Sequence, residues 1–413
     1  MQKFRICFIL CLCQFFGRAG RKSRRAIHYI FCSAIAPQKD AASIPHATAV
    51  NQRLICKYSL LDLTTFKKLS NLLQIGTFAK KIPLIKIGNI ELPDFPLLLA
   101  PMEDVSDPPF RRLCKQHGAD LMYSEFISSE GLIRDAIKSR MKLDIFDYER
   151  PVGIQIFGGD EEAMALSSKI VSTVNPDIID INFGCPVKKV VCKGAGAGVL
   201  KDVDLMIRLT QAVIDSTHLP VTVKTRLGWD DTSINIDEVA ERLQDIGVAA
   251  LSIHARTRAQ MYKGHSDWSH IARVKNNPRI TMPIFGNGDI DSPEKALQYK
   301  NKYGIDGIMI GRAAIGYPWI FNEIKHYFLT GEHLAKPSVV DRVEAVRNHL
   351  AWAMEWKGER LGIVETRPHY TNYFKGIHSF KPFKQQLVTL DHPEELFAVL
   401  NEIEEAYLGY EVV

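Results

Sequence analysis

Residues 221–254 read VTVKTRLGWDDTSINIDEVAERLQDIGVAALSIH, and this stretch holds one full period of the chain's architecture. Val221–Val223 is a short run of β-branched residues that suits a strand. Ile236–Ile246 (IDEVAERLQDI) is amphipathic and predicts a helix. Ala250–Ile253 is a second short apolar run. Strand, helix and strand in this order predict a parallel βαβ unit.

The same rhythm extends outward in both directions. Apolar runs recur at Leu97–Ala100, Leu121–Tyr123, Val152–Phe157 and Ile178–Ile181 before it, and at Ile284–Phe285 and Gly307–Ile310 after it. Amphipathic stretches such as Pro293–Tyr299 lie between them. Continuous apolar runs suit strands buried on both faces. Eight such units match a (β/α)8 barrel, with an open doubly wound sheet as the alternative. After Trp319 the strand signals stop, and Val339–Trp356, Phe380–Thr389 and Glu394–Tyr407 read as helices. The expected fold is α/β: a TIM barrel over residues 85–320, followed by a small all-helical domain over 321–413. Residues 1–84 read as an N-terminal extension, disordered or a misassigned chain start, and stay outside the fold argument.

Charge and cysteine content divide along the same line. The 413 residues carry a formal net charge of +5. Residues 1–80 hold 13 Lys/Arg against only Asp40 and Asp62, whereas residues 81–413 hold 39 against 45 acids. The body is mildly acidic, so any nucleic-acid contact needs a local basic patch. Five of the eight cysteines fall in the first 56 residues, leaving Cys114, Cys185 and Cys192 in the body. Three thiols in so large a body do not form a disulfide scaffold and suit a reducing cytoplasm. Phe4–Phe16 imitates the apolar part of a signal peptide, but nothing downstream looks exported, and no stretch reaches the ~20 apolar residues of a membrane span. The expectation is a cytoplasmic monomer without membrane attachment.

In a barrel of this type, chemistry gathers at the C-terminal strand ends. Polar residues cluster there: Met102 and Glu103, Gln155, Asn182 to Cys185, Lys224 and Arg226, His254 and Arg256, Asn287 to Asp289, and Gly311 with Arg312. The glycines of Gly286–Asp289 and Gly311–Arg312 permit close backbone approach to a phosphate at the last two loops. Lys224 suits either an anionic ligand or a neighbouring carboxylate, and His254 either packing or an anion. Cys185 lies in Asp180–Pro186 (DINFGCP), where Gly184 and Pro186 shape a turn that presents the thiol. Three active roles are open to it: nucleophile, metal ligand and proton donor. No Cys/His spacing supplies metal companions, and an ordinary thiol is still protonated at pH 7.

These motifs, taken together, resemble the tRNA-dihydrouridine synthases, most closely the B-type bacterial members. Ala100–Asp107 (APMEDVSD), Asn182–Pro186 (NFGCP) with Lys188–Val190 (KKV), Lys224–Arg226 (KTR), His254–Arg258 (HARTR), Gly286–Ile290 (GNGDI) and Ile310–Ala313 (IGRA) carry the resemblance in order through the barrel. It implies FMN as cofactor, NADPH or NADH as reductant, and reduction of the C5–C6 bond of specific D-loop uridines in tRNA, with Cys185 as proton donor. It further implies that Pro101, Met102 and Glu103 line the flavin and that Gln155 and Lys224 bond its ring. His254, Asn287, Gly288, Asp289, Gly311 and Arg312 would hold its phosphate, and Asn182 would contact the target base. Lys188, Lys189, Arg256 and Arg258 would rim the mouth against tRNA phosphates. Arg367 and Lys375, with His369, Lys381 and Lys384 among Tyr370, Tyr373, Phe374 and Phe383, would give the helical domain an RNA-binding face. A departure is Ala195–Gly198 (AGAG), where relatives often have Ala-Gly-Ser-Ala. The alternative is an FMN-dependent barrel oxidoreductase acting on a small molecule.

Overall fold

The computed structural model describes residues 84–410, which fall within one compact unit spanning Lys80–Val413. The expectation for residues 1–84 lies, but for Leu84, outside the described residues. A hairpin comes first, β1 (Ile85–Ile87) and β2 (Ile90–Leu92), turning at Gly88 with φ of 59°. The barrel strands are β3 (Leu97–Leu99), β4 (Leu121–Tyr123), β6 (Val152–Phe157), β7 (Ile178–Asn182), β8 (Val221–Arg226), β9 (Ala250–His254), β10 (Ile284–Asn287) and β11 (Gly307–Ile310). A two-residue strand, β5 (Ile127–Ser128), adds to β6. All barrel pairings are parallel, and β4–β6 and β11–β3 close the ring. The barrel rather than the open sheet is therefore the fold.

Helices follow the strands: α1 (Pro108–Gln116), α2 (Ser129–Ile133), α3 (Ile137–Met141), α4 (Glu161–Ser172), α5 (Lys188–Val191), α6 (Val203–Ile214), α7 (Ile236–Asp245), α8 (Ser269–Lys275), α9 (Pro293–Tyr303) and α10 (Ile320–Thr330). Alternation along each strand divides the core in two. Leu99, Ile154, Ile156, Ile179, Ile181, Val223 and Ile253 face the helix ring. Leu98, Tyr123, Ile178, Ala250, Phe285 and Met309 fill the barrel interior, with Ile87 and Leu92 of the hairpin packed against them. None of the described helices is long and apolar enough to cross a membrane.

Four strands run further than the sequence predicts. Lys224 and Arg226 belong to β8, Asn182 to β7, His254 to β9 and Asn287 to β10. The ladder continues through them, pairing Asn182 with Lys224 and Arg226 with His254. These side chains point inward at the open end of the barrel, so polarity does not end the strand.

Gly286 on β10 faces outward against Trp268, whose indole donates to the Gly288 carbonyl at 3.0 Å. A Cβ at Gly286 would lie 1.9 Å from the Trp268 ring. Gly286→Ala is expected to cost about 1–3 kcal/mol by overpacking, read as a lowered urea midpoint with unchanged slope.

After α10 come α11 (Val339–Lys357), α12 (Glu359–Tyr373), α13 (Lys381–Thr389) and α14 (Pro393–Ala406). Ser338 and Asp341 form a reciprocal cap at the start of α11. The boundary expected at residue 320 needs correction: Ile320, Phe321 and Ile324 of α10 belong to the barrel core. The second core begins at Val339 and gathers Val343, Val346, Leu350, Leu387, Leu396, Leu400 and Ile403, with Leu113 of α1. His369, Tyr370, Tyr373 and Phe374 are buried in this region. They cannot offer an RNA-facing surface, which corrects that expectation.

Candidate active site

The open end of the barrel holds a cavity of about 950 Å³. Pro101, Met102, Glu103, Asn182, Cys185, Lys224, His254, Arg256, Asn287, Gly288, Asp289, Gly311 and Arg312 all line it. A second cleft of about 610 Å³ adjoins it and shares Glu103, Phe126, Cys185 and Val187 with the first. Cys185 therefore lies where the two meet.

The loop carrying Cys185 is braced from three sides. The Asn182 Oδ1 accepts from the backbone N–H groups of Gly184 at 2.9 Å and Cys185 at 2.8 Å. Arg226 donates to the Gly184 carbonyl at 2.7 Å and to the carbonyls of Thr257 and Met261 at 3.1 and 2.9 Å. Gly196, at φ of 54°, lets the loop fold back, since a Cβ there would lie 3.0 Å from the Cys185 carbonyl. Burial pushes the Cys185 thiol above its ordinary value, with the Val187 N–H and Arg226 pulling the other way. The thiol is kept protonated at neutral pH, which favours an acid over a nucleophile.

Cations dominate the rest of the cavity. Burial, then the neighbouring Arg226, lowers the Lys224 ammonium to about 8. Among the described residues the carboxylate partner allowed by the sequence is not found: Asp180 is near enough to act through space but forms no ion pair with Lys224. Burial and the charges of Arg226, Lys224, Arg256 and Arg312 hold His254 well below its usual range, so its ring is neutral. Burial alone would raise Asp289, but Arg256 and the Ser266 N–H outweigh it and take the carboxyl down to about 2. Asp289 accepts from Arg256 at 2.6 Å, from Ser266 N at 2.9 Å and from Arg312 at 3.0 Å. Among the described residues, the backbone N–H groups of Gly288, Asp289, Gly311 and Arg312 find no backbone acceptor outside the regular elements and no side-chain acceptor. Free N–H groups beside two arginines form a ready anion site.

Some residues named from sequence lie elsewhere. Arg256 is 2% exposed and donates to the Lys263 and Gly264 carbonyls as well as to Asp289, so it braces the loop from below and does not rim the mouth. Gln155 is fully buried beneath the floor, its amide bonded to Asp180 and Asn182. Arg258 stacks on Trp229 at 4.5 Å, outside the cavity lining. Arg367 is spent on Asp391 and the Leu390 carbonyl within the helical region. Lys188, Lys189 and Lys375 are exposed, and Lys189 edges the second cleft. Sequence reasoning left out Phe126, common to both clefts, and Tyr262, which lies 5.6 Å from Arg226 and 5.2 Å from Arg312. Each is an aromatic residue in the loop after a barrel strand, which is the signal that could have found it.

Residues 98–408 match the family model described as Dihydrouridine synthase (Dus). tRNA-dihydrouridine synthase B of Pseudomonas aeruginosa is 39% identical over 319 residues, covering 77% of this chain and 95% of that protein. A probable tRNA-dihydrouridine synthase of Rickettsia conorii is 38% identical over 325 residues, 78% of this chain and 96% of that one. tRNA-dihydrouridine synthase B of Pseudomonas syringae pv. tomato is 40% identical over 308 residues, 74% and 90% respectively. The chain belongs to the dihydrouridine synthase family. Among solved structures, the old yellow enzyme of Trypanosoma cruzi aligns with a TM-score of 0.46 and 10% identity over 63% of this chain and 94% of that one, too distant to bear on the assignment.

Proposed function

We propose that the protein is an FMN-dependent tRNA-dihydrouridine synthase that reduces the C5–C6 bond of uridine, with Cys185 as the proton donor and NADPH as the reductant. The observation that carries this reading is a protonated thiol at the junction of a cationic cavity and a second cleft. The residues fit FMN: among the described residues, an ammonium without an ion-pair partner on the floor, backbone donors without acceptors, and two arginines that meet at Asp289 beyond the end of β10.

Pro101 and Met102 would flank the ring, Lys224 would face its electron-rich edge, and Gly288, Asp289, Gly311 and Arg312 would hold the phosphate through backbone and guanidinium donors. Asp289 and Arg256 act there by fixing the loops, because a carboxylate repels phosphate. When bound, the flavin supplies hydride to C6 of the uracil. Negative charge then develops across C5 and O4, and Cys185 supplies the proton at C5. The base must leave its stack to reach the thiol, and the second cleft beside Cys185 gives it a place to enter. Exposed Lys188 and Lys189 beside that cleft meet tRNA phosphates, and Lys375 adds a charge on the helical region.

The test is direct. Purified protein given FMN, NADPH and tRNA that lacks dihydrouridine should form dihydrouridine, detected by mass spectrometry of the digested nucleosides. Protein that takes up no FMN, or forms no dihydrouridine when loaded, would sink the reading. Lys224→Met should weaken FMN binding about 10–100-fold, the loss expected for one hydrogen bond to a charged group, as measured by flavin fluorescence titration.

A further inference from the structure

Inside the barrel, one inward-facing position before Asn182 on β7, Asp180 is a buried carboxylate that the proposed reaction does not use. It accepts from Gln155 Nε2 at 2.5 Å and from the Thr222 hydroxyl at 2.5 Å. Gln155 Oε1 accepts from Asn182 Nδ2 at 2.8 Å. Asn182 Oδ1 accepts from the N–H groups of Gly184 and Cys185. The titratable groups facing Asp180 are Tyr123 of β4 and Lys224 of β8.

The direction of this chain follows from its two ends. Amide oxygen and nitrogen are alike in shape, so only the network decides which way each side chain points. Two backbone N–H groups can only donate, so Asn182 must turn its oxygen to them. Its nitrogen then faces Gln155, which must offer oxygen there and nitrogen to Asp180. An ionised Asp180 can only accept, and that agrees. With both lone pairs of Oδ1 taken and one Nδ2 hydrogen given to Gln155, Asn182 has one polar atom left for the cavity it lines, an N–H donor.

We propose that Asp180 is a positioning residue that fixes the donor–acceptor direction of Gln155 and Asn182, so that Asn182 meets the bound base only as a donor. The atom docked on it is then a carbonyl oxygen of uracil, whose charge grows during reduction, and not the amino group that cytosine carries. The substrate half of this inference rests on the function proposed above, whereas the direction of the chain does not.

The experiment compares wild type with Asn182→Asp, Asp180→Asn and the double variant, all as FMN-loaded protein. Asp at 182 still accepts from Gly184 and Cys185 but forces Gln155 to flip, which sets its oxygen against Asp180. One carboxylate must then hold a proton, its folded pKa is raised, and the folded state is penalised as pH climbs. The unfolding temperature of Asn182→Asp should drop by roughly 3–5 °C more than that of wild type between about pH 6 and 8.5. In the double variant the amide at 180 donates to the flipped Gln155, and this extra pH dependence should vanish. Asp180→Asn alone, whose amide can present its oxygen to Gln155, should not acquire it. If only the double variant accumulates folded, that is the same rescue. A double variant as pH-sensitive as Asn182→Asp would overturn the assignment of direction.

The substrate half is read on tRNA. The double variant has its relay repaired but no donor at 182, so dihydrouridine formation should stay at least about tenfold below wild type, the cost of one lost hydrogen bond to a developing charge. Turnover equal to wild type would overturn that half. A wild type that forms no dihydrouridine would sink the proposed function while the unfolding arms still decide the relay.

Discussion

Cys185→Ala is expected to lower dihydrouridine formation about 10²–10⁴-fold, the usual worth of a positioned general acid, while FMN stays bound. The thiol is held by its loop and not by the groups proposed for the flavin. Asn182 and Arg226 fix the Gly184–Cys185 peptide, one at the Cys185 N–H and the other at the Gly184 carbonyl, and the phosphate loops lie at the ends of β10 and β11. Removing one sulfur leaves both in place, so flavin absorbance and flavin reduction by NADPH should match wild type. Loss of flavin reduction together with turnover would argue that the residue holds the site and does not donate a proton.

The pH profile carries the same argument with a definite sign. Burial raises the thiol, and an acid works only while protonated. In FMN-saturated Lys224→Arg, which lacks the ammonium lowered to about 8, turnover should hold through the ordinary thiol range near 8.5 and fall only at higher pH, as the thiolate forms. A fall beginning below pH 8 in that variant would contradict a raised thiol. Alkylation, followed at the Cys185 peptide by mass spectrometry so that Cys192 and the five thiols of the first 56 residues do not interfere, offers an independent reading. Cys185 should then react slowly at neutral pH and faster as pH rises.

The sequence showed the barrel because apolar runs alternate with amphipathic stretches, and burial on both strand faces leaves that trace. Strand ends were less legible. Lys224, Arg226, Asn182, His254 and Asn287 look like terminators, yet they continue their ladders while pointing into the barrel mouth. Their clustering at one end of the barrel was readable, and the cavity collects most of them. Their individual contacts were not. Arg256 and Arg312 are alike on paper, but Arg256 lies beyond the end of β9 in a bent loop, its N–H donating back to the His254 carbonyl at 2.7 Å. No periodicity says which way such a residue turns. Asp180 was passed over as part of an apolar run, although a carboxylate inside a doubly buried strand was itself the clue. In the helical region, α12 was hidden by Pro368 within it. Basic and aromatic residues at helical spacing fit a packed core as well as an RNA surface, and burial decides for the core at His369, Tyr370 and Tyr373.

That packed core reaches the site through one ion pair, and Lys357→Met should show how much depends on it. Asp107 closes the loop that holds Pro101 and Met102 and caps α1 by accepting from Phe110 N at 3.0 Å. Its other oxygen accepts from Lys357, at the end of α11, at 2.7 Å, and Lys357 also reaches Glu365 at 2.5 Å. The Lys357 side chain is 4% exposed. Its buried neighbours His349 and His369 are lowered by burial to about 3 and 4, so they stay neutral and cannot replace the charge. Burial alone would raise Asp107, but Lys357 outweighs it and the carboxyl lies below its ordinary value. Removing the ammonium leaves an unpaired buried carboxylate, a loss of about 3–5 kcal/mol. In wild type the lowered Asp107 contributes stability that is present above the unfolded carboxyl pKa of about 4 and is lost as pH falls through its folded value. In the variant, burial is opposed mainly by the Phe110 N–H and raises the folded value, so its penalty grows as pH rises above the unfolded one. The gap between the two proteins in urea unfolding should therefore be widest near neutral pH and narrow toward about pH 4. Asp107→Asn added to Lys357→Met removes the stranded charge and should recover most of the loss at pH 7. FMN affinity should follow the same order, because the loop that loses its ion pair is the one whose Pro101 and Met102 line the cavity. A single variant that loses under about 1 kcal/mol at pH 7, the range of an exposed pair, would show that the helical region does not hold the Met102 loop through this contact.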